Sequence, residues 1–589
     1  MKKRTAKNPV KNRRFRGSSV ACACRLTCLA AIICVAFLII LSGTAPAADR
    51  PVIAPHNSKF VSHIELRKTG GYLSATEEGH SLGYTPPPVD MSHLAASSGT
   101  SGSGELAETE ATLASGYDLR TTGKLTDVRD QGDCGSCWAF ATMGSVESVL
   151  MPSETRDFSE NNLKNTSGFD YSHCEGGHEY MAMAYLARWS GPVAETDDPY
   201  SESSDFSPTG LAAQKHIQEV LIIPDRTGST NNSYIKQAIV DYGAVYTSMY
   251  FSGSYYKSAN HAYYYNGTGS QDSNHAVTIV GWNDSYSKSN FASTPSGNGA
   301  FIVRNSWGSS WGEAGYFYVS YYDSNIGKGN AVFNSAQSAA NYSKVYQYDP
   351  LGWVSSLGYE SVTAWFANIF TAETTESLTA VSFYTGAVNS VYNLYIYTDA
   401  SSGPVSGSLA GSQTGTIASA GYHTLTLTSP VNLAAGGMFS VVVKLKTPGY
   451  DYPVPIEYPY AGYSSRAAAS SGQSYISADG TDWTDITTET DLENSNVCLK
   501  AFTVETPVKI EETSKLYADI TTAYTAAADS QTILAQAVES SEALNLAGGI
   551  NVTLLGGYDT SFSPNAGYTT IGSLTVSGGT LTVGNIIIK

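Results

Sequence analysis

The segment Gln131-Gly132-Asp133-Cys134-Gly135-Ser136-Cys137-Trp138-Ala139-Phe140 places a thiol at the head of an apolar run with helical spacing: Ala139, Phe140, Met143, Val146, Val149 and Leu150. A thiol attacks a carbonyl carbon only as the thiolate, and free cysteine is mostly protonated at neutral pH. In the first turn of a helix, Cys137 would have its anion favoured by the partial positive charge of the helix N-terminus. An imidazolium partner would lower its pKa further and supply the proton for the leaving amine. His275, in Asn274-His275-Ala276-Val277, lies 138 positions downstream. That separation is within the roughly 130–150 expected of a thiol and a base facing each other across two subdomains.

Asn305 supplies the third member, in Arg304-Asn305-Ser306-Trp307-Gly308-Ser309-Ser310-Trp311-Gly312. Its side-chain oxygen would accept a hydrogen bond from His275 and fix the ring, and Trp307 would keep water from that bond and so strengthen it. Gln131 would donate its amide to the oxyanion, together with the Cys137 backbone N–H.

These residues need elements to hold them. After the Cys137 helix, helices are expected through Glu179–Ala187 and Tyr234–Asp241; strand-like alternation follows at 276–282, 300–304 and 316–319. Helices first and strands second in one unit predict an α+β domain of two segregated halves over 115–335. Residues 344–504 read as an all-β sandwich, with alternating strands such as 391–397 and 439–445 separated by Gly/Ser/Pro turns. Residues 505–589 carry a helix-like stretch near Leu516–Ala528, then short, evenly spaced strands that predict a small β-helix-like module.

The N-terminus reads as an export leader over residues 1–48. A basic stretch precedes an apolar run of about 16 residues, short of the roughly 20 a spanning helix needs, and Ala45-Pro46-Ala47-Ala48 offers a cleavage site. Residues 49–114 form a polar extension with Pro86-Pro87-Pro88 and a loose run at 97–104, read as a propeptide and linker rather than a bare spacer. The leader holds nine Lys/Arg and no Asp/Glu, so its removal takes the net charge from −18 to −27 (34 − 9 = 25 bases against 52 acids). Such an acidic surface excludes nucleic-acid binding. Four cysteines remain past the leader: Cys134, Cys137, Cys174 and Cys498. They are too few for a disulfide scaffold, Cys134-x-x-Cys137 lacks the second pair a zinc site wants, and no metal or cofactor is expected. An oxidising compartment allows one or two bridges, a free Cys134 thiol being the alternative.

Taken together, these motifs resemble the papain family of cysteine peptidases. The block 131–140 is similar to the family's nucleophile motif, 274–282 to its histidine strand, and 305–316 to its asparagine motif. Phe158–Leu163 resembles the family's helix signature and Cys174-Glu175-Gly176-Gly177 its S2/S3 substrate-binding loop. The resemblance implies a Cys134–Cys174 disulfide, and it implies that Gly176, Gly177, Asn274 and Trp307 contact an extended peptide, with the glycines allowing close backbone approach. It also implies that 344–504 is similar to the lectin-like β-domain of bacterial members, whose short leaders the extension resembles. Tyr450, Tyr452, Tyr458, Tyr460 and Tyr463 could there stack on sugar rings, although such tyrosines more often cover half-buried sandwich faces. The expectation is a secreted, cell-surface or periplasmic endopeptidase, monomeric, acting on proteins or peptides and attached through its β-domain to carbohydrate or another surface polymer. The competing readings are a surface adhesin with an idle papain-like scaffold, or an exopeptidase or transpeptidase of the same fold.

Overall fold

The computed structural model describes residues 50–70, 76–77, 80–97, 113–267, 271–564 and 567–589. The leader expected over 1–48 and most of the 97–104 run lie outside these residues.

Before the catalytic region, β1 (Val52–Ile53) and α1 (Ser58–Lys68) are followed by an extended stretch through residues 80–90. Asn57 caps α1 by accepting from the Lys59 N–H, and Phe60 and Ile64, four apart, bury one face. The helix α2 (Cys137–Leu150) carries no basic residue and is buried almost all round, as expected of a core helix. Two shorter helices, α3 (Glu160–Thr166) and α4 (Glu179–Ala187), pack beside it.

The strands β2 (Lys215–Ile223), β3 (Val245–Met249), β4 (His275–Asn283), β5 (Ala300–Arg304), β6 (Tyr316–Ser320) and β7 (Lys328–Ser338) form the second half of this unit. β4 is the hub: it pairs antiparallel with β3 on one side and β5 on the other, and β7 joins β3 to β2. The helix near Tyr234–Asp241 occurs as Ser233–Asp241.

In the all-β region the alternation is borne out in burial. Tyr392, Leu394 and Ile396 face the core while their neighbours face outward, in a six-stranded sheet that packs on a second layer. That second layer is not separate from the preceding unit. Its long strand β8 (Ala420–Leu433) pairs antiparallel with β2 through Ala420–His423 against Ile222–Glu219, so a single thirteen-stranded sheet runs through both regions.

The five tyrosines all make ring contacts within the protein. Tyr463 is fully buried against Phe60, Phe169 and His178; Tyr458 and Tyr460 pack against His56; Tyr450 stacks on His93, and Tyr452 lies edge-on to Tyr450. Amphipathic rings suit a seam between two elements as well as they suit a ligand.

At the C-terminus, parallel ladders join 532–536 to 551–558 and on to 580–584, with further parallel pairs at 543–546/573–576 and 569–571/586–588. The helix expected over Leu516–Ala528 is shorter. Asp519 accepts the Thr522 N–H at 2.6 Å and starts it at Ile520–Ala526, leaving Lys515–Tyr517 to pair as a strand with Val508–Ile510.

Candidate active site

Cys137 opens α2 and His275 opens β4, and the two elements pack directly together. The thiol Sγ accepts the N–H of Ala276, the residue after His275, at 3.3 Å, so residues 138 positions apart in the chain converge on one point. His275 Nε2 meets Asn305 Oδ1 at 2.8 Å, while His275 Nδ1 is buried without a hydrogen-bond partner. Asn305 Oδ1 also accepts the Ser306 N–H at 2.9 Å. Trp307 is 1% exposed and stacks on the His275 ring at 5.0 Å, covering the His–Asn bond from solvent.

Gln131 is anchored from several sides. Its N–H donates to Ser306 O at 2.8 Å, its Oε1 accepts the Ser306 hydroxyl at 2.6 Å, and the Tyr200 hydroxyl donates to its carbonyl at 2.7 Å. The side-chain amide is thereby aimed at two carbonyls, Cys134 O at 2.8 Å and Ser81 O at 2.6 Å. A disulfide joins Cys134 to Cys174 and fastens this loop to the strip at Gly176-Gly177.

The groove so built is filled by the chain's own extension. Gly83 N–H donates to Cys137 Sγ at 3.3 Å and Ser81 Oγ donates to Asp133 O at 2.7 Å. Gly177 pairs in parallel with Tyr84: its N–H donates to Gly83 O at 2.9 Å and its carbonyl accepts the Thr85 N–H at 3.0 Å. Asn274 O accepts the Tyr84 N–H at 3.1 Å, while the Asn274 side chain is spent on the Phe251 backbone. His80 stacks on Trp307, its ring 5.1 Å away and nearly parallel. Only glycine fits at 176 and 177. A Cβ on Gly176 would lie 2.7 Å from Gly83 O, and one on Gly177 would enter the Trp138 ring at 2.4 Å.

Burial sets the electrostatics. It pushes the Cys137 thiol up to about 11, against the opposing pull of the Ala276 and Gly83 N–H groups, and it pushes His275 down to about 4. With the groove filled, burial thus favours the uncharged form of both groups. Among the described residues no cluster of three or more His, Cys, Asp or Glu could hold a metal ion.

Sequence reasoning missed the supporting residues Ser306 and Tyr200 and the occupants His80–Thr85. Hydroxyls and backbone groups leave no spacing signature, and the extension acts in the groove mainly through its backbone.

Residues 113–336 match the papain family cysteine protease model and residues 345–503 the lectin like domain model. The chain thus carries a papain-family cysteine protease domain followed by a lectin-like domain. Among solved proteins, it is similar to the cysteine protease and lectin-like domains of Cwp84, a surface layer associated protein of Clostridium difficile. That likeness has a TM-score of 0.65 and 26% identity, covering 78% of this chain and 99% of the other. A clostridial Cwp84 Cys-to-Ala variant after propeptide cleavage is similar at TM-score 0.59 and 27% identity, over 67% and 100% of the two chains. A cysteine protease of Blomia tropicalis is 29% identical over 238 residues, 38% of this chain and 67% of its own length. Cathepsin K of Gallus gallus is 33% identical over 210 residues, 34% and 56% of the two lengths. The chain spans about 56–67% of the curated relatives it matches.

Proposed function

We propose that this chain is an exported cysteine endopeptidase held inactive by its own residues 80–85. Cys137 is the nucleophile, His275 the acid and base, Asn305 the residue that orients His275, and Gln131 a donor to the oxyanion. In the working enzyme the Cys137 sulfur attacks a peptide carbonyl carbon, and the oxyanion is held by the Gln131 amide and the Cys137 N–H. His275 then protonates the leaving amine, an acyl-enzyme forms, and water activated by His275 releases the second product.

The observation that carries this reading is the peptide already seated in the groove. Gln131 donates to a peptide carbonyl there, Gly177 and Asn274 pair with peptide backbone, and a peptide N–H sits on the sulfur. The seated stretch escapes cleavage because it presents an N–H to Cys137 Sγ where a substrate must present a carbonyl carbon. The Gly83 carbonyl is instead held by Gly177.

The extension, taken as residues 49–114, is gripped by both domains. β1 adds to an edge strand at Leu357–Gly358, and α1 packs under Tyr460 and Tyr463. Removing it would re-solvate Cys137 and His275, reverse both burial shifts, and favour the thiolate–imidazolium pair. We place the domain limits at 115–335 and 344–504, with a C-terminal module over 505–589. The lectin-like domain is assigned to holding the protease, as a monomer, on carbohydrate or another cell-surface polymer. The support is the domain match and the likeness to a surface layer associated protein.

The test is labelling by an epoxysuccinyl thiol-protease inhibitor, read by mass spectrometry. The unprocessed chain should label slowly. Chain nicked within residues 98–112 should label stoichiometrically on Cys137, and Cys137→Ala should not label. No adduct after nicking would reject the peptidase in favour of an idle scaffold.

A further inference from the structure

The lectin-like domain buries a lysine and an aspartate against each other. Lys500 lies in the strand Leu499–Glu505, and Asp349 opens the turn that follows the strand Lys344–Tyr346. Those are the last and first strands of the domain, and they pair antiparallel with Tyr346 opposite Ala501, so two residues 151 positions apart meet. Lys500 Nζ donates to Asp349 Oδ2 at 2.7 Å and to the Asp349 carbonyl at 3.3 Å. The side chains are 1% and 0% exposed, the most deeply buried ion pair among the described residues. Asp349 Oδ1 has no hydrogen-bond partner. The turn itself is fixed: Gly352 N–H donates to Asp349 O at 3.0 Å, and Arg188 of the protease domain donates to Pro350 O at 2.9 Å.

A third ionisable group shares the site. Glu457, at the end of the strand Val454–Glu457, is fully buried. Its Oε1 accepts the N–H of Leu351, two residues past Asp349, at 2.7 Å, and its Oε2 meets Asn496 Nδ2 at 3.5 Å. The charges of Asp349 and Lys500 both bear on it. Burial, with the Asp349 charge adding to it, raises the Glu457 carboxyl to about 8 and so favours the protonated acid. A charged pair is costly to keep in a dry interior. Moving one proton from the amine to the carboxyl turns it into a neutral amine beside a neutral acid, and burial acts in that direction on Asp349 against the pull of Lys500.

We propose that Lys500 and Asp349 become joined by an amide bond between their side chains, with Glu457 carrying the proton. The neutral Lys500 Nζ attacks Cγ of the protonated Asp349 carboxyl; an Nζ–Cγ bond forms and one Cγ–O bond breaks. Glu457 takes a proton from the nitrogen and gives one to the departing hydroxyl, which leaves as water. Glu457 ends as it began, and the condensation needs neither an oxidant nor a further reactant. Positioning takes the place of chemical activation. One carboxyl bond separates Oδ2 from Cγ, so a small shift brings the amine to the roughly 3–3.5 Å of a near-attack geometry. The dry surroundings also withhold the water that would reverse the step. The product is a clasp: with the first turn and last strand of the domain covalently tied, unfolding from either end could not draw out the chain between them. The proposal is independent of the peptidase reading.

The test is peptide mapping of the purified full chain, unfolded, reduced, digested with trypsin and chymotrypsin and read by mass spectrometry. A branched peptide should join the Asp349 segment to the Lys500 segment, lighter than the sum of its parts by one water, and trypsin should not cut after Lys500. Lys500→Arg, which keeps the cation and removes the nucleophilic amine, should lose the branched peptide. Glu457→Gln, which keeps the shape and removes the proton carrier, should lower the joined fraction of freshly purified chain about tenfold or more. The native chain decides the matter by itself if neither variant folds. Separate, unmodified Asp349 and Lys500 peptides would make the pair a plain buried ion pair and overturn the proposal. A joined fraction in Glu457→Gln equal to that of the native chain would overturn the role given to Glu457.

Discussion

The backbone N–H of Gly83 points at the Sγ of Cys137 from 3.3 Å, and nothing but hydrogen can stand on the Gly83 α-carbon. A Cβ there would lie 2.0 Å from the Gly135 carbonyl oxygen. The fit between the extension and the groove is thus limited by a single missing methyl.

Gly83→Val should therefore lift the extension off the nucleophile. Overpacking of this kind costs about 1–3 kcal/mol, which at about 1.4 kcal/mol per decade amounts to roughly fivefold to a hundredfold in groove opening. The readout is the epoxide labelling rate of unprocessed chain; a rate equal to that of the native sequence would refute the steric account.

Gln131→Ala addresses the chemistry itself. If the amide now held on Ser81 O serves the oxyanion in the open enzyme, its loss should lower kcat about 10²–10³-fold with little change in KM. A parallel loss confined to KM would instead make Gln131 a substrate-docking residue.

Acid should loosen the grip on the extension. Burial lowers His63 on α1 to about 4, helped by the Arg67 charge, and lowers His178 below it to about 3. With folded values below the ordinary 6.5, the native state binds fewer protons than the unfolded chain. These groups contribute their full stability above pH 6.5 and lose it as pH falls through 4 toward 3. Thermal unfolding should accordingly drop across that interval, and His63→Gln should flatten the fall. Glu179 has the opposite sign: its raised value costs stability as pH climbs from about 4.5 through 8, so Glu179→Gln should flatten the alkaline side only.

How much of this was readable beforehand depends on where the information lies. The Cys137 block is local, and His275 and Asn305 follow from residue type and order, so the convergence of Cys137 with the His275 strand was legible. The disulfide that fastens the Gly176-Gly177 strip was legible only through the family resemblance, which implied the Cys134–Cys174 pairing. Tyr84 and Gly83 were not, since a stretch that fills the groove largely by backbone pairing needs few distinctive side chains. Helix α1 was likewise hidden: its apolar residues do not form one stripe, since Phe60 and Ile64 are buried while Val61 and Leu66 are exposed, and the face that Phe60 buries against, Tyr460 and Tyr463, lies about 400 residues away. Those tyrosines show the limit of composition, which identified amphipathic surface but not what would cover it.

The junction between the domains is the relationship sequence could say least about, and it yields the last prediction. Strand β8 of the lectin-like domain pairs with β2 of the protease domain at Gly421↔Leu221 and its neighbours. Gly421 has φ +131°, a conformation side chains rarely adopt, and a Cβ there would stand 1.9 Å from the Val220 carbonyl oxygen. Four backbone-paired residues on each side therefore depend on one glycine. Gly421→Val should break the ladder and cost upward of about 2 kcal/mol, through strain and lost pairing together. By calorimetry the native chain should unfold its two domains in one transition, since one sheet runs through both, and the variant should split or lower it. Independent melting of the two domains in the native chain, or an unchanged thermogram in the variant, would mean the shared sheet carries no coupling.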